Sequence, residues 1–377
     1  MSNLFEVYGL LDVEPVKAKG SLLWDANGTE YFDFYGGHAV ISIGHSHPHY
    51  VQRITEQLNN IGFYSNAVKN PLQLELAELL CKTAGYPDYK LFLCNSGAEA
   101  NENAMKLASF KTGRDSVLVM KSAFHGRTSQ AVAATDNPKI QAPINKTQKV
   151  TFIPMNDVAI LEEELRKECY AAVLIEGIQG VGGIQVPNDE YLLKMRELCN
   201  ETGTMLILDE IQSGYGRTGL FFAHQQSGVK PDMITMAKGI GNGFPMAGVL
   251  IKPEIEAVKG MLGTTFGGSH LACAAALAVL EVMNSQNLVQ NAAEQGKYLM
   301  DELSKESRIV EMRGRGLMIG IDLPMPQGEF RSVLLNEYRV LTGMAGTNTL
   351  RLLPALTITR EDCDRFLEAF HGTMKKF

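Results

Sequence analysis

Seven short apolar runs, most of them ending in a polar or glycine-rich stretch, constrain this chain more than any other feature. They are Lys90–Cys94, Ser116–Met120, Val150–Ile153, Ala171–Ile175, Met205–Leu208, Met233–Met236 and Ala247–Ile251. Runs this short, with little polar alternation, mark strands buried on both faces. Helical spacing fills 98–111, 157–168 and 189–202 between several of them. The alternation predicts an α/β fold, with a mostly parallel central sheet and helices on both faces. Amphipathic helices are expected before it, at 48–60 and 71–84, and short strands and turns in the first 50 residues.

Beyond about residue 255 the pattern changes. An Ala-rich helix over 270–284 leads into further helices, strands near 316–322 and 349–353, and a last helix that begins after Thr359, an N-cap candidate. This predicts a large domain over 48–254 and a smaller α+β domain over 255–377, with residues 1–47 packing against the smaller one. A length of 377 residues suits two such domains. The net charge of −7, without a Lys/Arg cluster, argues against nucleic acid as a partner. None of the six cysteines forms a CxxC pair, as expected of free thiols in a reducing compartment. The segment MSNLFEVYGL lacks a basic start and long apolar core, and no apolar run reaches the roughly 18 residues that span a bilayer. A soluble, cytoplasmic protein without membrane contact is therefore expected.

In open α/β sheets ligands bind outside the carboxyl ends of the strands. The exits here carry Asn95-Ser96-Gly97, Phe124-His125-Gly126-Arg127, Glu176, Asp209-Glu210-Ile211-Gln212 and Lys238. Ser96, Gly97 and Ala98 open a helix whose free N–H groups suit an anion. There is no Walker loop and no GxGxxG at a strand–helix turn, which lowers the nucleotide readings. Asp209 ends an apolar run, where a carboxylate needs a positive or hydrogen-bonding partner such as a protonated pyridine nitrogen. Lys238 follows a buried strand, where lost solvation lowers the pKa of an amine and readies it to attack an aldehyde. Taken singly, each has an ordinary reading: a capped helix, an N-cap aspartate, a snorkelling lysine. Together, on successive strands, they are far more specific. His45, His47 and His49 alternate as metal ligands sometimes do, but Pro48 interrupts them without a Cys or acidic cluster. A structural turn, and no metal, is expected there.

The chain resembles the class III, or ω-amino, aminotransferases, of the fold-type I pyridoxal-phosphate enzymes. The motifs that carry this are GHSHP at Gly44–Pro48, NSGAEANENAMK at Asn95–Lys106, FHGRT at Phe124–Thr128 and LDEIQSGYGRTG at Leu208–Gly219. AKGIGNGFPMAG at Ala237–Gly248, TTFGG at Thr264–Gly268 and LRLLPALTIT at Leu350–Thr359 complete the set. The resemblance implies pyridoxal 5′-phosphate as cofactor, with Ser96, Gly97 and Ala98 at its phosphate, Phe124 on its ring, Asp209 at the ring nitrogen and Gln212 at the 3-oxygen. It implies Lys238 as the Schiff-base lysine. It implies a homodimer in which Thr265 reaches the partner's phosphate. Arg127 and Arg351 would bind substrate carboxylates, Thr264 would lie nearby, and Glu176 would pair with Arg351 when no carboxylate is present. The implied reaction moves the δ-amino group of an N2-acyl-L-ornithine, N-acetylornithine first, to 2-oxoglutarate. The products would be N-acetylglutamate 5-semialdehyde and glutamate, a step of arginine biosynthesis. N-Succinylornithine is the alternative donor, followed by ornithine or another ω-amino acid. The chain departs from the family pattern at Gly177 and Val181, at Ser269-His270, at Ala355, and at Tyr35-Gly36-Gly37-His38.

Overall fold

The computed structural model describes residues 3–377; Met1 and Ser2, which begin the segment read above for a leader, lie outside the described residues. Three strands open the chain: β1 (Pro15–Lys19), β2 (Leu22–Asp25) and β3 (Glu30–Asp33). The seven apolar runs become β4 (Lys90–Cys94), β5 (Ser116–Met120), β6 (Lys149–Ile153), β7 (Tyr170–Glu176), β8 (Met205–Asp209), β9 (Met233–Met236) and β10 (Ala247–Ile251). They form one seven-stranded sheet in the order β4-β10-β9-β8-β7-β5-β6. All neighbouring pairs run parallel except those of β10, which is antiparallel to both β9 and β4.

The strands are continuously apolar because each face meets its own helix layer. Val117, Val119, Leu174 and Ile207 pack with Ala100, Ala104 and Met105 of the helix Gly97–Thr112. The alternate residues Leu118, Met120, Val173, Ile175, Leu206 and Leu208 pack with Leu161, Leu165, Tyr191 and Met195 of helices Val158–Leu165 and Asp189–Thr202. Burying such side chains contributes about 1.5–3 kcal/mol each. The same parity sends the last residues of two strands, Glu176 and its register partner Asp209, to the face of the helix Gly97–Thr112.

The C-terminal region adds β11 (Glu311–Arg315), β12 (Met318–Asp322), β13 (Val340–Leu341), β14 (Gly343–Ala345) and β15 (Thr349–Leu352). Four of them form an antiparallel sheet, β11-β12-β15-β14. The fifth, β13, pairs in parallel with β3, which ties the first residues of the chain to the last third. Leu350 and Leu352 face the core with Phe330, Phe366 and Phe370, so Arg351 between them is turned the other way. The Ala-rich helix His270–Ser285 is buried along most of its length. No single helix among the described residues is long and apolar enough to cross a membrane.

Candidate active site

A cavity of about 300 Å³ opens at the carboxyl edge of the central sheet. Its wall includes Asn95, Ser96, Gly97, Ala98, Phe124, His125, Glu176, Asp209, Gln212 and Lys238, so all five polar strand exits named from the sequence meet there. Val40, Ile178, Val181, Phe244 and Met246 supply apolar wall.

At the β4 exit, the Ser96 hydroxyl caps the helix by accepting from the Glu99 N–H at 3.2 Å. The N–H groups of Gly97 and Ala98, in the first turn, have no carbonyl four residues back within the helix, which leaves an anion cradle. At the β8 exit, Asp209 is 4% exposed and surrounded by donors. Asn101 Nδ2 donates to its Oδ2 at 2.8 Å, His125 Nδ1 lies 2.7 Å from the same oxygen, and the Ile211 N–H donates to Oδ1 at 3.0 Å. Asn101 is oriented in turn by the Thr235 hydroxyl at 2.8 Å, on the neighbouring strand β9. This network fixes the carboxylate's position and answers its burial. Asn101 and Thr235 were not singled out from the sequence, and His125 was quoted there without a role; the motifs at 95–106 and 124–128 contained the signal for two of them.

Lys238 begins the turn after β9 with φ +50, a left-handed conformation that costs a non-glycine residue energy and recurs at functional sites. Burial, chiefly, pulls its pKa down to about 8; Asp209 and Glu176 oppose this and Arg351 adds to it. The Glu176 carboxyl accepts from the Phe124 N–H at 3.0 Å and the Gly180 N–H at 2.9 Å. Burial pushes its pKa up to about 7, opposed by His125 and assisted by Asp209. Gln212 donates to the His38 carbonyl at 3.2 Å, while its Oε1 is buried without a partner. A Cβ at position 180 would come within 1.8 Å of that oxygen, so a larger residue there would displace the Gln212 amide.

The surroundings of three residues implied as substrate contacts differ from the implied pairings in this single chain. Arg351 does not pair with Glu176: it donates to the Gly180 carbonyl at 2.9 Å and to the Tyr35 hydroxyl at 3.2 Å, and the loop at Gly180 mediates between the two charged groups. Arg127 is exposed and off the cavity wall. The Thr264 hydroxyl accepts from Asn95 Nδ2 at 3.0 Å and from the Gly267 N–H at 3.2 Å. Thr265 is exposed at the surface. The histidine turn is structural: His45 bonds Asp33 and His49 bonds Glu281.

The sequence profile described as aminotransferase class-III matches residues 7–374. The chain belongs to the class-III aminotransferases. It is similar to an acetylornithine aminotransferase of Methanosarcina mazei, 40% identical over 97% of this chain and 92% of that one. It is also similar to a succinylornithine transaminase of Photorhabdus laumondii, 39% identical over 96% and 94%. Among solved structures, an ornithine aminotransferase of Toxoplasma gondii superposes with a TM-score of 0.91 at 29% identity, covering 98% of this chain and 93% of that one. Class-III aminotransferases use pyridoxal phosphate, and the residues present fit it. The buried carboxylate, the Gln212 amide on the cavity wall, the anion cradle and an amine brought near neutrality answer its ring nitrogen, 3-oxygen, phosphate and aldehyde.

Proposed function

We propose that this aminotransferase moves the δ-amino group of an N2-acyl-L-ornithine, N-acetylornithine first, to 2-oxoglutarate, as a step of arginine biosynthesis. The observation that carries the reading is the meeting of Lys238, Asp209 and the Gly97–Ala98 cradle on one cavity. The name of the Methanosarcina relative supports the acetyl group, and that of the Photorhabdus relative keeps the succinyl group as the second reading.

Gly97 and Ala98, with Ser96, would hold the cofactor phosphate; Phe124 would cover the ring, Asp209 would hold the ring nitrogen and Gln212 the 3-oxygen. Bound pyridoxal phosphate supplies an aldehyde that joins amines and a cationic ring that withdraws electrons from the carbon to be deprotonated. Lys238, poised near neutrality, takes the proton from the donor carbon that bears the nitrogen, and returns a proton to the acceptor's carbonyl carbon in the second half-reaction. Asp209, held by three donors, keeps its charge in place without reorganising. Glu176 braces the backbone of Phe124 and Gly180, and so shapes the wall beside the reacting carbon. Arg351 would receive the acceptor's carboxylate, and Arg127, from the surface, the donor's.

The protein would work as a homodimer, with Thr265 and Thr264 facing the partner's site. Phe266, beside them, is 62% exposed and its ring sits 5.2 Å from that of Phe63, an apolar patch at the right place for a second copy. The two bodies would be residues 48–254 and, together, 1–47 with 255–377. A cytoplasmic setting fits six unpaired cysteines. Glutamate formation from 2-oxoglutarate is to be measured side by side with N-acetylornithine, N-succinylornithine, ornithine and γ-aminobutyrate. Acetylornithine is expected to lead; turnover of ornithine or γ-aminobutyrate alone would reject the reading.

A further inference from the structure

The contacts of the Arg351 guanidinium are uneven. Nη1 donates to the Gly180 carbonyl at 2.9 Å, and Nη2 donates to the Tyr35 hydroxyl at 3.2 Å. Nε is buried and has no partner. In a guanidinium the Nε–H and Nη2–H bonds point the same way and form the side-on fork that matches both oxygens of a carboxylate. Here one prong of that fork is empty and a phenol holds the other. Arg351 is 4% exposed, so a ligand can reach the fork only if a neighbour yields. Gly180 is on the other edge, with its own N–H anchored to Glu176 at 2.9 Å, and has no need to move. Tyr35 is a half-buried side chain, and its oxygen is the group in the way.

The backbone around Tyr35 is unusual. Gly36, Gly37, His38 and Ala39 all have left-handed φ values, of 55, 55, 69 and 65. A left-handed turn costs each non-glycine residue roughly 1–2 kcal/mol. It brings His38 Nδ1 onto the Tyr35 hydroxyl and the His38 carbonyl onto Gln212. Burial, then the positive charges of Arg351 and Lys238, hold the His38 pKa below its ordinary range, which favours a neutral ring beside the phenol. The phenol oxygen turns a lone pair to Arg351, which can only donate, and with the imidazole proton on Nε2 the phenol gives its own proton to His38. Its ring rests against Gly343, where a Cβ would approach to 2.2 Å.

We propose that Tyr35 is a neutral placeholder on Arg351: its oxygen occupies Nη2 between half-reactions and gives way to the carboxylate of the amino acceptor, which takes Nε and Nη2 together. The proposal rests on the aminotransfer reading above. An ω-amino donor has no carboxylate at its reacting carbon, so the guanidinium needs another partner in that half of the cycle. A phenol serves without a second negative charge, and parting the guanidinium from a neutral oxygen costs less than parting a buried ion pair. It also accounts for the missing bond between Arg351 and Glu176.

The test titrates the cofactor-loaded enzyme with glutarate, a dicarboxylate with no carbonyl to react, and follows heat. Tyr35→Phe keeps the ring against Gly343 and removes only the competing oxygen. The dissociation constant is expected to fall about tenfold, as a hydrogen bond to a charged group no longer has to be broken. In an Arg351→Lys background, which lacks the fork, the same change is expected to leave it unmoved. An unchanged or weaker affinity in Tyr35→Phe, or an equal gain in the lysine background, overturns the placeholder. Glutamate production by the unsubstituted enzyme is followed in parallel; its failure rejects the aminotransfer reading, whereas an unmoved affinity rejects only the role of Tyr35.

Discussion

Glu176 and Lys238 are driven toward neutrality from opposite directions, and the chain's stability records it. Folding raises Glu176 from 4.5 to about 7, so across that window the native chain holds a proton that the unfolded chain has released, and stability falls as pH rises. Folding lowers Lys238 from 10.5 to about 8. Between those values the unfolded chain holds the extra proton, and stability rises with pH. The two groups together place a shallow minimum near pH 7 to 8 in the cofactor-free protein. Lys238→Met is expected to remove the alkaline climb, about 3 kcal/mol at most. Urea midpoints from roughly pH 6 to 11 check this, and an unaltered climb in the variant would count against it. Both residues were legible in the sequence because each ends or follows an apolar run. Asn101 was not: a lone asparagine within a helix reads as a surface position, and only the sheet beneath makes it fully buried. The motifs named Thr264, but its place depends on a bond from Asn95, far along the chain.

At the level of elements, the central strands could be read because burial on both faces leaves no room for polar alternation. The last helix could be read because its boundary is chemical. The Thr359 hydroxyl accepts from the Asp362 N–H at 3.2 Å, and the Asp362 carboxylate answers the Thr359 N–H at 2.9 Å. Such a capping box contributes about 1 kcal/mol. Thr359→Ala should therefore speed amide exchange about fivefold in the helix Arg360–Met374 where exchange proceeds by local opening; equal rates in both proteins would deny the cap its role. Other elements left no such mark. The two residues of β13 are a strand only because β3 lies beside them. The left-handed turn at Gly36–Ala39 has two glycines to announce it, but His38 and Ala39 adopt the same φ through tertiary constraint rather than propensity.

At the scale of the whole molecule, a second copy of the chain should cover the surface around Thr265. Phe266→Asp is expected to shift the sedimenting species from dimer to monomer and to loosen the cofactor; a dimer that survives the change would place the interface elsewhere. The reversed strand β10 has a quieter consequence. Because it returns beside β9, the segment from Ala237 to Met246 is a closed hairpin, stitched at both ends to the same sheet. Asn242 fastens it further, accepting from the Ser42 N–H at 2.8 Å and donating to the Gly44 carbonyl at 3.0 Å. Judged by composition, Gly239, Gly241 and Gly243 would be the natural place for a protease to nick the native enzyme. Judged by its fastenings, that stretch should outlast the exposed arm over residues 3–14, and the cut that first appears on a gel should leave the Lys238 turn whole.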